Sequence, residues 1–271
     1  MIARVIAMLA AAASVAGAQR EPAIKSCVPA DTTLERARWA SPETSPARAD
    51  VDALERRLKT APEKSMPAVL LALGRLKARY YPDAAYAKKH SEEYFFNEIA
   101  GQWLYTGWHF IELRRRFPRS KQVDDAAWEE TFLPVGGECE EWVPCQVSAL
   151  WMQLEPFLRK HPNSPHAESA VARALLAFSA ITPDLNLRSA SRRVDPAEIR
   201  TLVDELESVA HTLQPAHRVK LLARVAELRE QLGDYPAARR AARLAADLRT
   251  GTVSQCVAEH LKRIEIRLTR P

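Results

Sequence analysis

Apolar residues recur at spacings of three and four through most of the chain beyond residue 48, the mark of helices that each present one apolar stripe. Asp50 to Leu58 carries Val51, Leu54 and Leu58, and the next segment carries Val69, Leu70, Leu73, Leu76 and Tyr80, with Pro62 and Pro67 punctuating the approach. Tyr81, Pro82 and Asp83 close that helix and open another. From Ala84 to Phe117 the chain has no proline, and the spacing of Tyr94, Trp103, Trp108 and Phe110 predicts one long helix, or two broken near Gly101 or Gly107. Further on, Pro196 to Leu213 reads as one helix with Ile199, Leu202, Val203, Leu206 and Val209 on one side. Pro215 starts the next helix, which ends at Leu232 and Gly233, and Pro236 opens its successor. A last helix is expected from Thr252 to Leu268. β-Branched alternation never lasts, so the pattern predicts roughly ten helices and no strand.

The punctuation recurs. Phe117-Pro118-Arg119-Ser120 and His161-Pro162-Asn163-Ser164 each follow a basic helix end and precede an alanine-bearing helix, because proline cannot continue the first helix. Pro82 stands in a shorter version, so Pro82, Pro118 and Pro162 recur at intervals of 36 and 44. That period suits units of two antiparallel helices, neither of which buries its stripe without a neighbour. The fold class expected is therefore all-α, with antiparallel helix pairs stacked as an α-solenoid. Segment 48–192 forms an N-terminal helical-repeat region and segment 193–271 a compact C-terminal one.

The stretch from Leu221 to Leu248 resembles a tetratricopeptide repeat. Leu222, Val225 and Ala226 stand where the first helix packs, Gly233 and Tyr235 at the turn, and Ala238, Ala242 and Ala245 at the small positions of the second helix. Arg229 occupies a position where an aromatic is commoner. The two proline turns resemble the longer repeats of bacterial envelope proteins of the outer-membrane assembly lipoprotein and cell-division coordinator types. The resemblance implies a TPR-like solenoid that acts as a binding scaffold, and it transfers no catalytic residue.

Composition adds a compartment. Residues 1–18 read as a signal peptide: Arg4, an uncharged run from Val5 to Val15, then Ala16-Gly17-Ala18 before Gln19. Residues 19–47 hold Pro22, Pro29, Pro42 and Pro46 with little periodicity and read as an arm laid over the body. No later segment is apolar for 18 residues, so no integral membrane segment is expected and the mature chain is read as soluble and periplasmic or otherwise exported. Cys27, Cys139, Cys145 and Cys256 make an even set for an oxidising space and read as structural disulfides, with three pairings open. The net charge of +5 is too small for a nucleic-acid footprint. It is unevenly spread, with five glutamates and no base in 129–141, and 12 Lys or Arg against 6 Asp or Glu in 215–271.

Chemical signatures are sparse. His109 and Glu112 form a helical i,i+3 pair read as a local hydrogen bond, with too few companions for a metal. No nucleophile elbow, phosphate loop or dinucleotide fingerprint occurs, so no catalytic residue, metal or cofactor is expected. Twelve of the 19 aromatics fall in 94–151 and read mainly as core. Trp142 is the exception: it lies beside Glu140 and Glu141 in a loop bounded by Cys139 and Cys145, and these three residues are expected to meet a partner. The function expected is a non-catalytic envelope scaffold binding a protein or peptide through a helical-repeat groove. A toxin inhibitor is one form this takes. The alternative is an enzyme processing peptidoglycan or another envelope polysaccharide with acidic residues of the central helices, Glu98, Glu129 and Glu130.

Overall fold

The structure is a computed structural model that describes residues 26–29, 42–134, 139, 143–181 and 196–269. The signal segment 1–18 and the loop residues Glu140, Glu141 and Trp142 lie outside the described residues. The elements run α1 (Arg48–Thr60), a 3-10 turn (Glu63–Ser65), α2 (Met66–Lys77), α3 (Ala84–Lys89), β1 (Tyr94–Asn97), β2 (Gln102–Tyr105), α4 (Trp108–Arg116) and α5 (Val123–Glu130). They continue through α6 (Val143–Lys160), α7 (Ala167–Ser179), α8 (Pro196–Ala210), α9 (Pro215–Gln231), α10 (Tyr235–Asp247) and α11 (Gly251–Thr269). The fold is mostly helical, and successive helices pack on one another: α1 on α2, α4 on α5, α6 on α7, α8 on α9, α9 on α10 and α10 on α11.

The two proline turns have the same construction. Phe117 N–H bonds Leu113 C=O and His161 N–H bonds Phe157 C=O, both at 2.8 Å. Ser120 N–H then returns to Phe117 C=O and Ser164 N–H to His161 C=O, at 2.9 and 3.0 Å. Each serine hydroxyl accepts the N–H two residues on, from Gln122 and His166. Proline ends the helix and the serine restarts one, using groups that would otherwise be orphaned. The Pro82 turn differs: Asp83 caps α3 by accepting Tyr86 N–H at 2.8 Å, and α3 leads into a hairpin.

That hairpin corrects the all-helical expectation for Ala84 to Phe117. β1 and β2 pair antiparallel, Tyr94 opposite Tyr105, Phe95 opposite Leu104, Phe96 opposite Trp103 and Asn97 opposite Gln102. The eight residues include five aromatics, whose rings suit a pleated surface better than a helix interior. The turn is built by Asn97, whose side-chain oxygen accepts Ala100 N–H at 2.9 Å, and by Gly101 at φ 62°. Gly107 at φ 83° ends the hairpin and starts α4; a side chain there would also meet Leu133 Cδ1 at 2.4 Å.

The apolar interior forms two clusters. One runs from Val51 to Ala126 and holds Leu70, Leu73, Tyr94, Tyr105, Phe110 and Leu113. The other begins at Ala127 and Trp128, runs through Trp151, Leu154, Phe178 and α8 to Ile264, and takes in Val28 from the N-terminal arm. Gly74 lets α4 approach α2 closely: a Cβ at that position would stand 2.4 Å from the Phe110 ring.

α9 is the hub of the second cluster, in contact with α7, α8, α10 and α11. Leu221 through Glu230 are buried without a break, which a one-sided stripe would not produce. Its charges survive burial because each meets a partner. Arg224 donates to Phe178 C=O at 2.6 Å and Ile181 C=O at 3.1 Å at the end of α7 and pairs with Glu227 at 3.0 Å. Arg229 pairs with Asp204 and Glu207 of α8. Glu230 meets His260 and Arg267 of α11.

Glu227 also holds the arm. Its carboxylate accepts the Ser26 hydroxyl at 2.9 Å and Cys27 N–H at 2.7 Å, and Cys27 is disulfide-bonded to Cys256 of α11. Cys139 is bonded to Cys145 at the start of α6. Among the described residues, no helix is long and apolar enough to cross a membrane. The two disulfides and the absence of free cysteines suit an oxidising, extracytoplasmic environment.

Candidate functional site

Two constellations stand out: a charged cluster behind the hairpin and a cleft in front of it. The cluster is centred on Lys77, the last residue of α2, whose side chain is fully buried. Its ammonium lies 2.7 Å from Glu55 of α1 and bonds Glu93, which precedes β1. Tyr86 donates its hydroxyl to Glu55 at 2.6 Å, and His90 stacks on the Tyr86 ring with Nδ1 3.5 Å from Glu93. The Arg48 guanidinium covers the Tyr86 ring at 3.9 Å. Burial pushes the Glu55 carboxyl up, but hydrogen bonds from Lys77 and Tyr86 outweigh it and hold it below the usual carboxylate range.

Glu55, His90 and Glu93 bring three ligand-type atoms within 4.8 Å of one another, the spacing of a metal site. Both carboxylates, however, already face the buried Lys77 ammonium, and a divalent ion would add charge beside a cation that cannot reach water. The cluster is better suited to joining α1, α2, α3 and β1 than to holding an ion. Accordingly, adding zinc or EDTA should leave the melting temperature unchanged; a zinc-dependent rise would show that metal displaces the lysine.

The cleft, about 590 Å³, opens between the end of α2, strand β2 and the segment that follows α5. Arg75, Arg79 and Tyr80 line one wall, Trp103, Leu104 and Tyr105 the second, and Glu129, Phe132, Leu133 and Pro134 the third. Apolar and aromatic walls with a few charged groups are the usual make-up of a binding site. Arg75 pairs with Glu129 at 2.8 Å and approaches Asp125 at 3.9 Å. Arg79 is exposed and has no carboxylate partner among the described residues.

The residues singled out in the sequence are dispersed. Glu98 is exposed in the hairpin turn, Glu129 faces Arg75, and Glu130 is held by Arg114 in a two-point pair at 2.9 and 2.7 Å. Burial raises the Glu130 carboxyl, against the pull of Arg114. The two glutamates on α5 thus serve different arginines. The expected His109–Glu112 bond is replaced: Glu112 binds Arg115 and Arg116, while His109 is buried against Tyr105. The His109 main-chain N–H donates to the Tyr105 oxygen at 2.9 Å, and the same hydroxyl shares a second hydrogen bond with His109 Nδ1, also at 2.9 Å. Trp128 and Trp151 are core, the latter donating its indole N–H to Glu205 at 2.9 Å. Trp103 is half-buried at the cleft. The cleft residues Arg75, Arg79 and Leu133 lay on unremarkable helix ends in the sequence; the glycines at 101 and 107 bracketing Gln102–Tyr105 were the one local signal of the wall between them.

No protein-family description, curated protein or solved structure matches this chain.

Proposed function

We propose that this protein is a non-catalytic, TPR-like helical scaffold of the bacterial envelope that binds a protein or peptide partner. The observation that carries the reading is the cleft between α2, β2 and the end of α5, whose aromatic and basic lining suits a polypeptide segment. Support for a scaffold also comes from the packed helix pairs and from the two repeated proline turns, which resemble envelope repeat proteins. The acidic side chains expected for glycan chemistry are tied to separate arginines or exposed in a turn, which supports the scaffold reading over the enzyme. Affinity capture from an envelope extract tests it, using the wild type and a Trp103→Ala variant whose melting temperature is checked alongside. The wild type should retain a protein that the variant loses. Retention of cell-wall glycan alone, or equal retention by both forms, would refute the cleft as the binding site.

A further inference from the structure

We propose that the partner enters the cleft as an extended, acidic peptide that adds a third strand to the hairpin along β2. This rests on the binding reading above and specifies its ligand. The hydrogen-bond phase of the hairpin is set by Thr106 N–H, which donates to Glu93 C=O at 2.8 Å. Residues 93 and 106 are opposite one another in the same register as Tyr94 and Tyr105, so they form a hydrogen-bonded pair. Alternation in an antiparallel ladder then makes Phe95–Leu104 and Asn97–Gln102 hydrogen-bonded pairs, and Tyr94–Tyr105 and Phe96–Trp103 non-bonded ones. The main-chain N–H and C=O of Trp103 and Tyr105 therefore point away from β1, toward the free edge of β2.

On β1 the outward N–H of Tyr94 is satisfied by His90 C=O at 3.2 Å, and Phe96, the other outward residue of that strand, is exposed and lines no part of the cleft. On β2 the outward groups of Trp103 and Tyr105 find no partner among the described residues. Both residues line the cleft, and Tyr105 is only 4 % exposed. A row of unpaired, sheltered backbone donors and acceptors at the mouth of a cavity is the arrangement that strand addition completes. The incoming strand would set alternate side chains beside Trp103 and beside Leu104, which calls for apolar or β-branched residues at those positions.

Charge selects the rest of the peptide. Of the cations lining the cleft, Arg75 is already paired with Glu129 and approaches Asp125, and Lys77 is neutralised by Glu55 and Glu93. Arg79, exposed and without a carboxylate partner among the described residues, is left to receive an acidic side chain or a terminal carboxylate.

The test is fluorescence polarisation on the full mature chain, with a labelled nonapeptide of alternating valine and threonine closed by two glutamates. Two versions carry N-methyl groups on alternate amides in the two opposite phases, one replaces the glutamates with lysines, and a fourth peptide is an acidic alanine-rich helix. One methylated phase should weaken binding at least tenfold and the other should leave it unchanged, because only every second amide of an added strand faces β2. The lysine peptide should bind at least tenfold more weakly, and Arg79→Glu, an exposed substitution, should reverse that preference. Equal binding of both methylated phases and the parent, equal binding of the lysine peptide, or no binding of the strand peptide would each overturn strand addition. If the helical peptide binds instead and is displaced by the captured partner, strand addition fails while the scaffold reading stands; if neither peptide binds and capture also fails, both readings fall. Concentration-dependent self-association abolished by Arg79→Glu would assign the edge to a second copy and likewise overturn the proposal.

Discussion

A Cys27→Ser/Cys256→Ser variant is expected to lose about 5 kcal/mol of stability while keeping its helical content. The bond closes a loop with a sequence separation of 229, and restricting so long a stretch of the unfolded chain is worth roughly 5 kcal/mol in the chain-entropy account, at the top of the usual range. The native contacts of the arm do not depend on the bond alone: Glu227 still receives Ser26 and Cys27 N–H, and Val28 still enters the core. The effect should therefore reside mainly in the unfolded state. The Cys139–Cys145 bond, with a separation of six, gives a useful contrast, since the same relation assigns it only about 2 kcal/mol. Urea unfolding of wild type, the double serine variant and a Cys139→Ser/Cys145→Ser variant measures the three values. A loss below about 1 kcal/mol in the first variant would mean that native strain cancels the entropic gain and the long bond is not the principal staple.

Acid should weaken the fold well above the carboxylate range, and His109 is the residue expected to carry that loss. Burial, and then the positive charges of Lys77 and His90, push its pKa down from the ordinary 6.5 to about 3. A histidine with a lowered folded-state pKa favours the folded form fully above its unfolded value. As the pH falls below 6.5 the unfolded chain takes up the proton and the folded chain does not, so stability is lost until the pH reaches about 3. At about 1.4 kcal/mol per pH unit the full window amounts to roughly 4 to 5 kcal/mol. The part between pH 6.5 and 5 lies above the carboxylate range, and the difference between wild type and a His109 variant isolates it from the histidines that pair with carboxylates, His161, His166, His217 and His260. Below that part, Glu55 and Glu230, both held under the usual carboxylate value, begin to lose their own contributions in the same direction. Glu130, raised by burial, acts in the opposite sense. His109→Asn keeps a side chain that can hydrogen-bond the Tyr105 hydroxyl in either direction and cannot be protonated in this window. Its stability at pH 7 should be lower than wild type, and its loss of stability between pH 6.5 and 5 should be smaller than that of wild type by about 1.4 kcal/mol per pH unit. A slope equal to wild type would remove His109 from the account.

The helical punctuation was written locally. Phe117-Pro118-Arg119-Ser120 and His161-Pro162-Asn163-Ser164 produce turns with matching hydrogen bonds because a proline, a preceding helix end and a serine two residues later act within one turn of chain. Leu232 to Pro236 behaves likewise: Gly233 takes φ 75° and Asp234 caps α10 by accepting Ala237 N–H. Such signals depend on a few neighbouring dihedrals and on no distant residue.

Where the protein departs from the pattern, distant residues decide. The run from Tyr94 to Tyr105 has aromatics that either a helix or a strand can bury, and it became a hairpin because pairing places Tyr94 and Tyr105 in a cluster with Phe110 and Leu113 of the next helix. Arg224, Glu227, Arg229 and Glu230 look in sequence like the wet side of α9. They are buried because α7, α8, α11 and the N-terminal arm supply partners from as far as 201 residues away. Lys77 reads as an ordinary basic helix end until α1 and the approach to β1 enclose it with two glutamates. The sequence by itself therefore determined the helices outside the hairpin, their proline and glycine turns and a cysteine set fit for an oxidising space. Only the tertiary structure decided which charged positions went inside and which strand edge came to line the cleft, since the free energy of burying a charge or leaving a main-chain group unpaired depends on what the rest of the fold brings to it.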